Sequence, residues 1–127
     1  MMNKLILVLA LAIISLLAYR LFIKPKPKRE VPVGQANLYF FYTDWCGWSQ
    51  KAMPEWEKVK SQLSGQKVGS YQIKTIEVNA DKDRKTTEAY GVTGYPTIKL
   101  ETSKTIYEFH GKRTADGITS FVKNSLV

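Results

Sequence analysis

Residues 37–49 read Asn37-Leu38-Tyr39-Phe40-Phe41-Tyr42-Thr43-Asp44-Trp45-Cys46-Gly47-Trp48-Ser49. The first seven are so rich in aromatics, and the run is so short, that they predict a strand buried on both faces. It ends at Asp44. Past Gly47 the spacing turns helical, with Ala52, Trp56, Val59 and Leu63 on one stripe and Lys51, Glu55, Glu57, Lys58 and Lys60 mostly outside it. Gly65 closes that helix. Pro54 inside it lacks a backbone donor and crowds the carbonyl of Gln50, so a kink is expected there.

Outward from this junction the chain continues to alternate. Tyr71 to Asn79 reads as a second strand carrying Ile73, Ile76 and Val78, and Asp81 or Asp83 caps a short helix that runs to Tyr90 and stops at Gly91. Val92 to Pro96 is a turn. Thr97 to Thr102 and Thr105 to Phe109 form a hairpin around Ser103-Lys104, Gly111 marks a bend, and Thr114 caps a last helix containing Ile118, Phe121 and Val122. The order strand, helix, strand, helix, strand, strand, helix predicts an α/β sandwich on a mixed sheet.

Composition narrows the function. A length of 127 residues allows one modest domain, and 12% aromatic with 24% charged residues indicates a packed one. One Cys cannot form an intrachain disulfide, and one Cys with one His cannot supply a structural zinc site, so no metal is expected. The net charge of +8 is mostly a tail property: residues 1–30 carry six basic groups and one acid, residues 31–127 thirteen and ten. A nucleic-acid binder would place that excess on a folded face with interleaved aromatics, so nucleic acid is not an expected partner.

Leu5 to Ile23 is apolar apart from Ser15 and Arg20, and as a helix would reach roughly 28 Å, the thickness of a bilayer's hydrocarbon core. Arg20 lies one turn from the end, within snorkelling reach of the headgroups. Lys4 before an apolar run also fits a cleaved signal peptide, but no small-residue cleavage site follows Leu17 and the run ends in Lys24-Pro25-Lys26-Pro27-Lys28-Arg29. The expected organisation is a short segment 1–4, a membrane-spanning helix 5–23, a semi-rigid basic spacer 24–36 and a folded domain 37–127. The basic flank places the domain in the cytosol by the positive-inside rule.

Cys46 lies where strand hands over to helix, and there the free amides and positive dipole end of a helix lower a thiol pKa from about 8.5 toward the ~3.5–7.5 range. Gly47 permits close approach to the sulfur, and Ser49, one turn on, is placed to donate a hydrogen bond to the thiolate. Trp56 reads as core, and His110, with no second ligand or base in view, as surface.

Four motifs resemble the thioredoxin superfamily: Asp44 to Ser49, Pro54 eight residues after the cysteine, Val92-x-Gly94-Tyr95-Pro96-Thr97, and Phe109-x-Gly111-x-Arg113-Thr114-Ala115-Asp116-Gly117-Ile118. The last is most similar to protein disulfide isomerase domains. The resemblance implies a thioredoxin-like fold over residues 37–127, Cys46 as the attacking residue, Pro96 as a cis-proline facing it, and Tyr95 offering its backbone to an extended client. Trp45, Trp48 and Tyr95 would form an apolar rim.

The sequence also departs from the family. The second cysteine of Cys-x-x-Cys is Ser49, so no intramolecular disulfide can form. The buried acid six residues before the nucleophile is Phe40, and its lysine partner falls at Glu77. Arg113 matches an arginine that tunes the missing second thiol and reads here as a surface charge. Trp48 stands where isomerases carry histidine, so Cys46 is expected to be less acidic than theirs. Too few residues precede the aromatic strand for the family's usual first strand and helix.

The leading expectation is a single-pass membrane protein exchanging protein thiols and disulfides through Cys46, by isomerisation or deglutathionylation, with no cofactor and glutathione as a possible co-substrate. A non-catalytic, tethered client trap is the alternative. For a domain of this family a lumenal position is the alternative to the cytosol. Cys46-Gly47-Trp48-Ser49 is also similar to the Cys-Gly-Phe-Ser of monothiol glutaredoxins, but the Gly-Gly segment expected downstream is absent.

Overall fold

A computed structural model describes residues 3–23 and 30–127. The expected Lys/Pro spacer therefore falls partly, at 24–29, outside the described residues. Helix α1 (Lys4–Phe22) begins at Asn3, whose side chain accepts from the Leu5 amide at 3.4 Å, and no residue of α1 is buried. It is long and apolar enough to cross a membrane, by length and composition.

The remaining elements are β1 (Gln35–Tyr42), α2 (Gly47–Leu63), β2 (Lys67–Val68), β3 (Tyr71–Asn79), α3 (Arg84–Ala89), β4 (Thr97–Glu101), β5 (Ile106–Glu108) and α4 (Ala115–Leu126). They build a five-stranded mixed sheet in the order β2-β3-β1-β4-β5. The aromatic strand β1 is at its centre, parallel to β3 and antiparallel to β4. It starts at Gln35, two residues before the aromatic run, and Val31 ahead of it is already buried. The edge strand β2 is a feature the sequence did not announce, since two residues are too few for any periodicity to show.

Strand β1 is buried on both faces because its alternate residues serve two different cores. Ala36, Leu38 and Phe40 point into the larger one, with Ala52, Trp56, Val59 and Leu63 of α2 and Ala115, Ile118, Val122 and Leu126 of α4. The stripe read from the sequence is the stripe that α2 buries, and the helix runs through Pro54 without interruption. The Phe40 ring stacks on Trp56 at 4.9 Å and 10°. Fully burying side chains of this kind contributes about 1.5–3 kcal/mol each.

The opposite face is built differently. Tyr39 and Phe41 pack with Val78 and Tyr90, and α3, capped by Asp83 through a 3.0 Å bond to the Thr86 amide, is only six residues long. Beyond Tyr39 the face turns polar while staying covered: Asn37 and Glu101 pair across β1 and β4 and are 8% and 6% exposed. The Tyr90 hydroxyl bridges the Tyr39 hydroxyl at 2.7 Å and the Glu101 carboxylate, and the Lys99 ammonium donates to the Tyr90 carbonyl at 2.7 Å. Among the described residues no helix or strand stands between α1 and β1, and hydrogen-bonded polar groups occupy this part of the sheet face.

Replacing Tyr90 with Phe keeps the ring and deletes the hydroxyl that serves Glu101. Urea denaturation of the full chain in nonionic micelles should show a loss of about 1–3 kcal/mol, the cost of a buried acceptor left without its donor.

Candidate active site

Cys46 is the N-cap of α2. Its backbone is extended (φ −81°, ψ 119°), so the chain leaves β1, turns over Thr43–Trp45 and enters the helix at Gly47 with the thiol at the helix mouth. The sulfur is partly exposed and lies 3.7 Å from the Tyr95 carbonyl oxygen, within reach of a weak S–H donation. The Tyr95–Pro96 peptide bond is cis and Pro96 is buried beneath the loop. A Cβ on Gly47 would meet nothing within 4 Å, so the side of the sulfur next to the glycine is open.

The surroundings favour the thiolate. The Ser49 amide contributes most to holding the thiol below its ordinary value, burial opposes it, and the Trp48 amide, the Ser49 hydroxyl and the Arg113 charge add to the lowering. The sulfur closes no cap hydrogen bond in this geometry, so the amides act chiefly as dipoles aimed at it. Arg113, read from the sequence as a surface charge, is indeed exposed, yet its field reaches Cys46.

Trp45, Cys46, Gly47, Trp48, Tyr95 and Pro96 come together where β1, the start of α2 and the loop before β4 meet. Trp45 and Trp48 are 69% and 65% exposed. Trp45 is nonetheless fixed: its indole N–H donates to Asp81 at 2.8 Å and its ring stands edge-on to Tyr95 at 6.4 Å. Ser49 is different, being buried, with its Oγ accepting from the Thr43 amide at 3.3 Å. It braces the turn from behind the sulfur and takes no part in the open rim.

Comparison with known proteins decides the family. The Thioredoxin family model matches residues 29–124, well over half of the chain. The chain belongs to the thioredoxin family. It is 32% identical over 96 residues to a thioredoxin domain-containing protein of Acanthamoeba polyphaga mimivirus, an alignment covering 74% of this chain and 28% of that protein. It is 35% identical over 88 residues to a protein disulfide-isomerase of Zea mays, covering 68% and 17%. The first thioredoxin domain of mouse protein disulfide-isomerase A4 superposes with a TM-score of 0.62 at 28% identity, covering 72% of this chain and 64% of that one. The chain thus spans less than a third of the length of these two curated relatives.

Phe40, where the resemblance leads one to expect an acid, lies in the stack with Trp56, and Glu77, its register partner on β3, accepts from the Trp56 indole at 3.0 Å and pairs with Lys60. Residues that sequence reading missed lie around the turn: the Gln50 amide donates to the Asp44 carbonyl at 2.6 Å, and Asn79 donates to the Asp44 carboxylate at 3.0 Å. From the sequence Asp81 reads only as one of two candidate helix caps. Asp83 does the capping, and Asp81 holds Trp45 from 36 residues away, a pairing no local pattern encodes.

The rate of Cys46 alkylation by iodoacetamide should rise through a midpoint below the ~8.5 of a free cysteine. Ser49→Ala removes one of the groups that lower the thiol pKa, so its midpoint should move up toward the free value. An unchanged midpoint would show that the hydroxyl does not act on the sulfur.

Proposed function

We propose that the chain is a membrane-anchored monothiol protein of thiol–disulfide exchange, acting through Cys46 on protein disulfides. The observation that carries this reading is the placing of the chain's single thiol, Cys46, at the open N-terminus of α2, beside Tyr95 and Pro96, with a buried serine where a second thiol would stand.

In the proposed cycle the Cys46 thiolate attacks one sulfur of a client disulfide. The client S–S bond breaks, its other sulfur leaves as a thiolate, and a Cys46–client disulfide forms. Because no second protein thiol is present, resolution comes from outside. A thiolate of the client itself attacks the mixed disulfide and leaves an isomerised client, or glutathione attacks it and leaves a glutathione–client disulfide; both restore Cys46. With a glutathionylated client, Cys46 takes the glutathionyl group and a second glutathione removes it as glutathione disulfide. No cofactor is needed. In this reading Trp45, Trp48 and Tyr95 hold the apolar flank of an extended client and Ser49 favours the ionised sulfur.

The absence of an internal resolving thiol favours a second reading on the same chemistry, in which the mixed disulfide persists and the protein retains its client. Turnover separates the two. With reduced glutathione in excess, wild-type chain should deglutathionylate a peptide over many turnovers, and Cys46→Ala should fall to the uncatalysed rate. A single stoichiometric burst would select retention, and equal rates for wild type and Cys46→Ala would end both.

Helix α1 is the proposed anchor, and the cations after it, against Lys4 before it, orient the domain to the cytosol. The chain should stay in the membrane pellet through alkaline carbonate extraction, and protease added to sealed vesicles should digest the domain. Protection of the domain would reverse the orientation, and release by carbonate would remove the anchor.

A further inference from the structure

We propose that the groove beside Cys46 selects anionic peptide disulfides, its cations Lys51, Lys112 and Arg113 pairing with carboxylates on one flank of the client cysteine. This rests on the exchange reading for its chemistry, but the groove is defined independently of it. A cavity of about 420 Å³ opens between the first turns of α2 and the loop from β5 to α4, walled by the Trp48 indole and carrying these three cations. That is within the range of small-ligand and peptide-side-chain sites.

Among the described residues no carboxylate lies within ion-pair distance of Lys51, Lys112 or Arg113, and all three are exposed. Lys51 sits 5.7 Å from the centre of the Trp48 ring, which leaves its N–H donors available. Among the described residues Glu55 is the one acid lining the cavity, and its oxygens are engaged by the Ala115 amide at 2.8 Å and by Lys58 at 3.4 Å. An incoming carboxylate therefore meets three unpaired cations and one acid already hydrogen-bonded.

The loop that carries two of those cations is held in place. Thr114 caps α4 through a 3.1 Å bond to the Gly117 amide, and a Cβ on Gly117 would stand 2.5 Å from the Lys112 carbonyl oxygen, so that loop and helix are in close backbone contact there. Arg113 also lines the hollow at Tyr95–Pro96, and the Tyr95 carbonyl of that hollow lies 3.7 Å from the Cys46 sulfur, so the groove neighbours the thiol. On the other side of Cys46 the hollow beside Trp45 carries Asp81 and Glu88 against a single Arg84. The site is thus polarised, basic on its Trp48 side and acidic on its Trp45 side, so acidic residues should help on one side of the client cysteine only.

A carboxylate flank can belong to a protein segment or to glutathione, and the test includes both. Full-length chain in nonionic micelles is mixed with cysteine peptides carried as thionitrobenzoate disulfides. Cys46 attacks the peptide sulfur and coloured thionitrobenzoate leaves. Peptides bearing Glu-Glu before the cysteine, Glu-Glu after it, or Gln-Gln are compared with the glutathione disulfide of the same reagent. One of the two acidic peptides should react about five- to tenfold faster than the Gln-Gln peptide at low salt, as expected for steering by a few exposed charges, and the advantage should collapse at high salt. It should also vanish in Lys51→Gln/Lys112→Gln/Arg113→Gln. Since Arg113 also acts on the Cys46 thiol, the readout is the ratio between peptides.

A glutathione disulfide that gains as much as the acidic peptide would assign the groove to the free tripeptide; a gain confined to the peptide would assign it to a client segment. Ratios within twofold for all peptides, or a preference that survives the triple variant, would overturn the proposal. A Cys46→Ala chain titrated with reduced acidic peptide while tryptophan emission is followed separates this from failure of the exchange reading. Salt-sensitive binding there, with no covalent reaction of wild type, keeps the groove and discards exchange, and no binding discards the groove.

Discussion

The site depends on a register constraint in β1. Even-numbered residues of this strand fill the core shared with α2 and α4 and odd-numbered residues fill the core under Tyr90, so neither face can be given up. A slip of one residue would exchange Phe40, flat against Trp56, for Tyr39 or Phe41 of the other core, and every neighbour would change with it. With β1 fixed between β3 and β4 and α2 fixed to it through that stack, the few residues joining Tyr42 to Gly47 have little freedom. Cys46 is delivered to the helix mouth by core packing, and the hydrogen bonds around Asp44, Ser49 and Asn79 adjust a turn whose ends are already set.

In the proposed reading, Cys46 supplies the attacking half of a dithiol site. An anion at Cys46 is supported by amides, a hydroxyl and a distant guanidinium, all available without a second sulfur. The positions where the family resemblance leads one to expect the second sulfur and its supporting acid and lysine hold other residues here. The position behind the turn holds a serine oxygen that accepts an amide, and at the register pair Phe40–Glu77 one member is an aromatic ring and the other has turned to Trp56 and Lys60. Burying a carboxylate at position 40 would incur a desolvation cost that only a proton-transfer task would offset.

Much of this was legible in the sequence because it is periodic or local. The two-faced strand, the stripe of α2, the hairpin around Ser103-Lys104 and the Thr114 cap all follow from spacing, and each stands within a residue or two of where spacing puts it. The fate of Ser49 was half legible. Its place one turn past Cys46 was clear, but whether it faces the rim or the interior depends on the Thr43 amide arriving behind it. Asp81 under Trp45 was not legible at all, nor was the convergence of Lys51 with Lys112 and Arg113, because those contacts join segments brought together only by the closing of the sheet. The short strand β2 is the first arm of a tight hairpin through Gly69-Ser70, pairing Val68 with Tyr71 and Lys67 with Gln72, and two residues are too few for a period to show.

The polar half of the second sheet face follows from the same logic. A sheet face without a long helix over it must either expose apolar side chains, which invites association, or carry polar ones, which must then find partners as far as they are covered. Here the apolar part stops at Tyr39, Phe41 and Val78, the reach of short α3, and the rest is Asn37, Lys99 and Glu101 linked through Tyr90 and Tyr39. Burial, together with the contact to Glu101, keeps the Tyr90 hydroxyl protonated and so available as a donor. Because each of these groups satisfies another, the network tolerates loss of one member less well than a greasy patch of the same area would. It therefore does for this face what a covering helix would otherwise do: it holds β1 against β4 at the end of the strand opposite Cys46, and so maintains the register on which the sulfur's position depends.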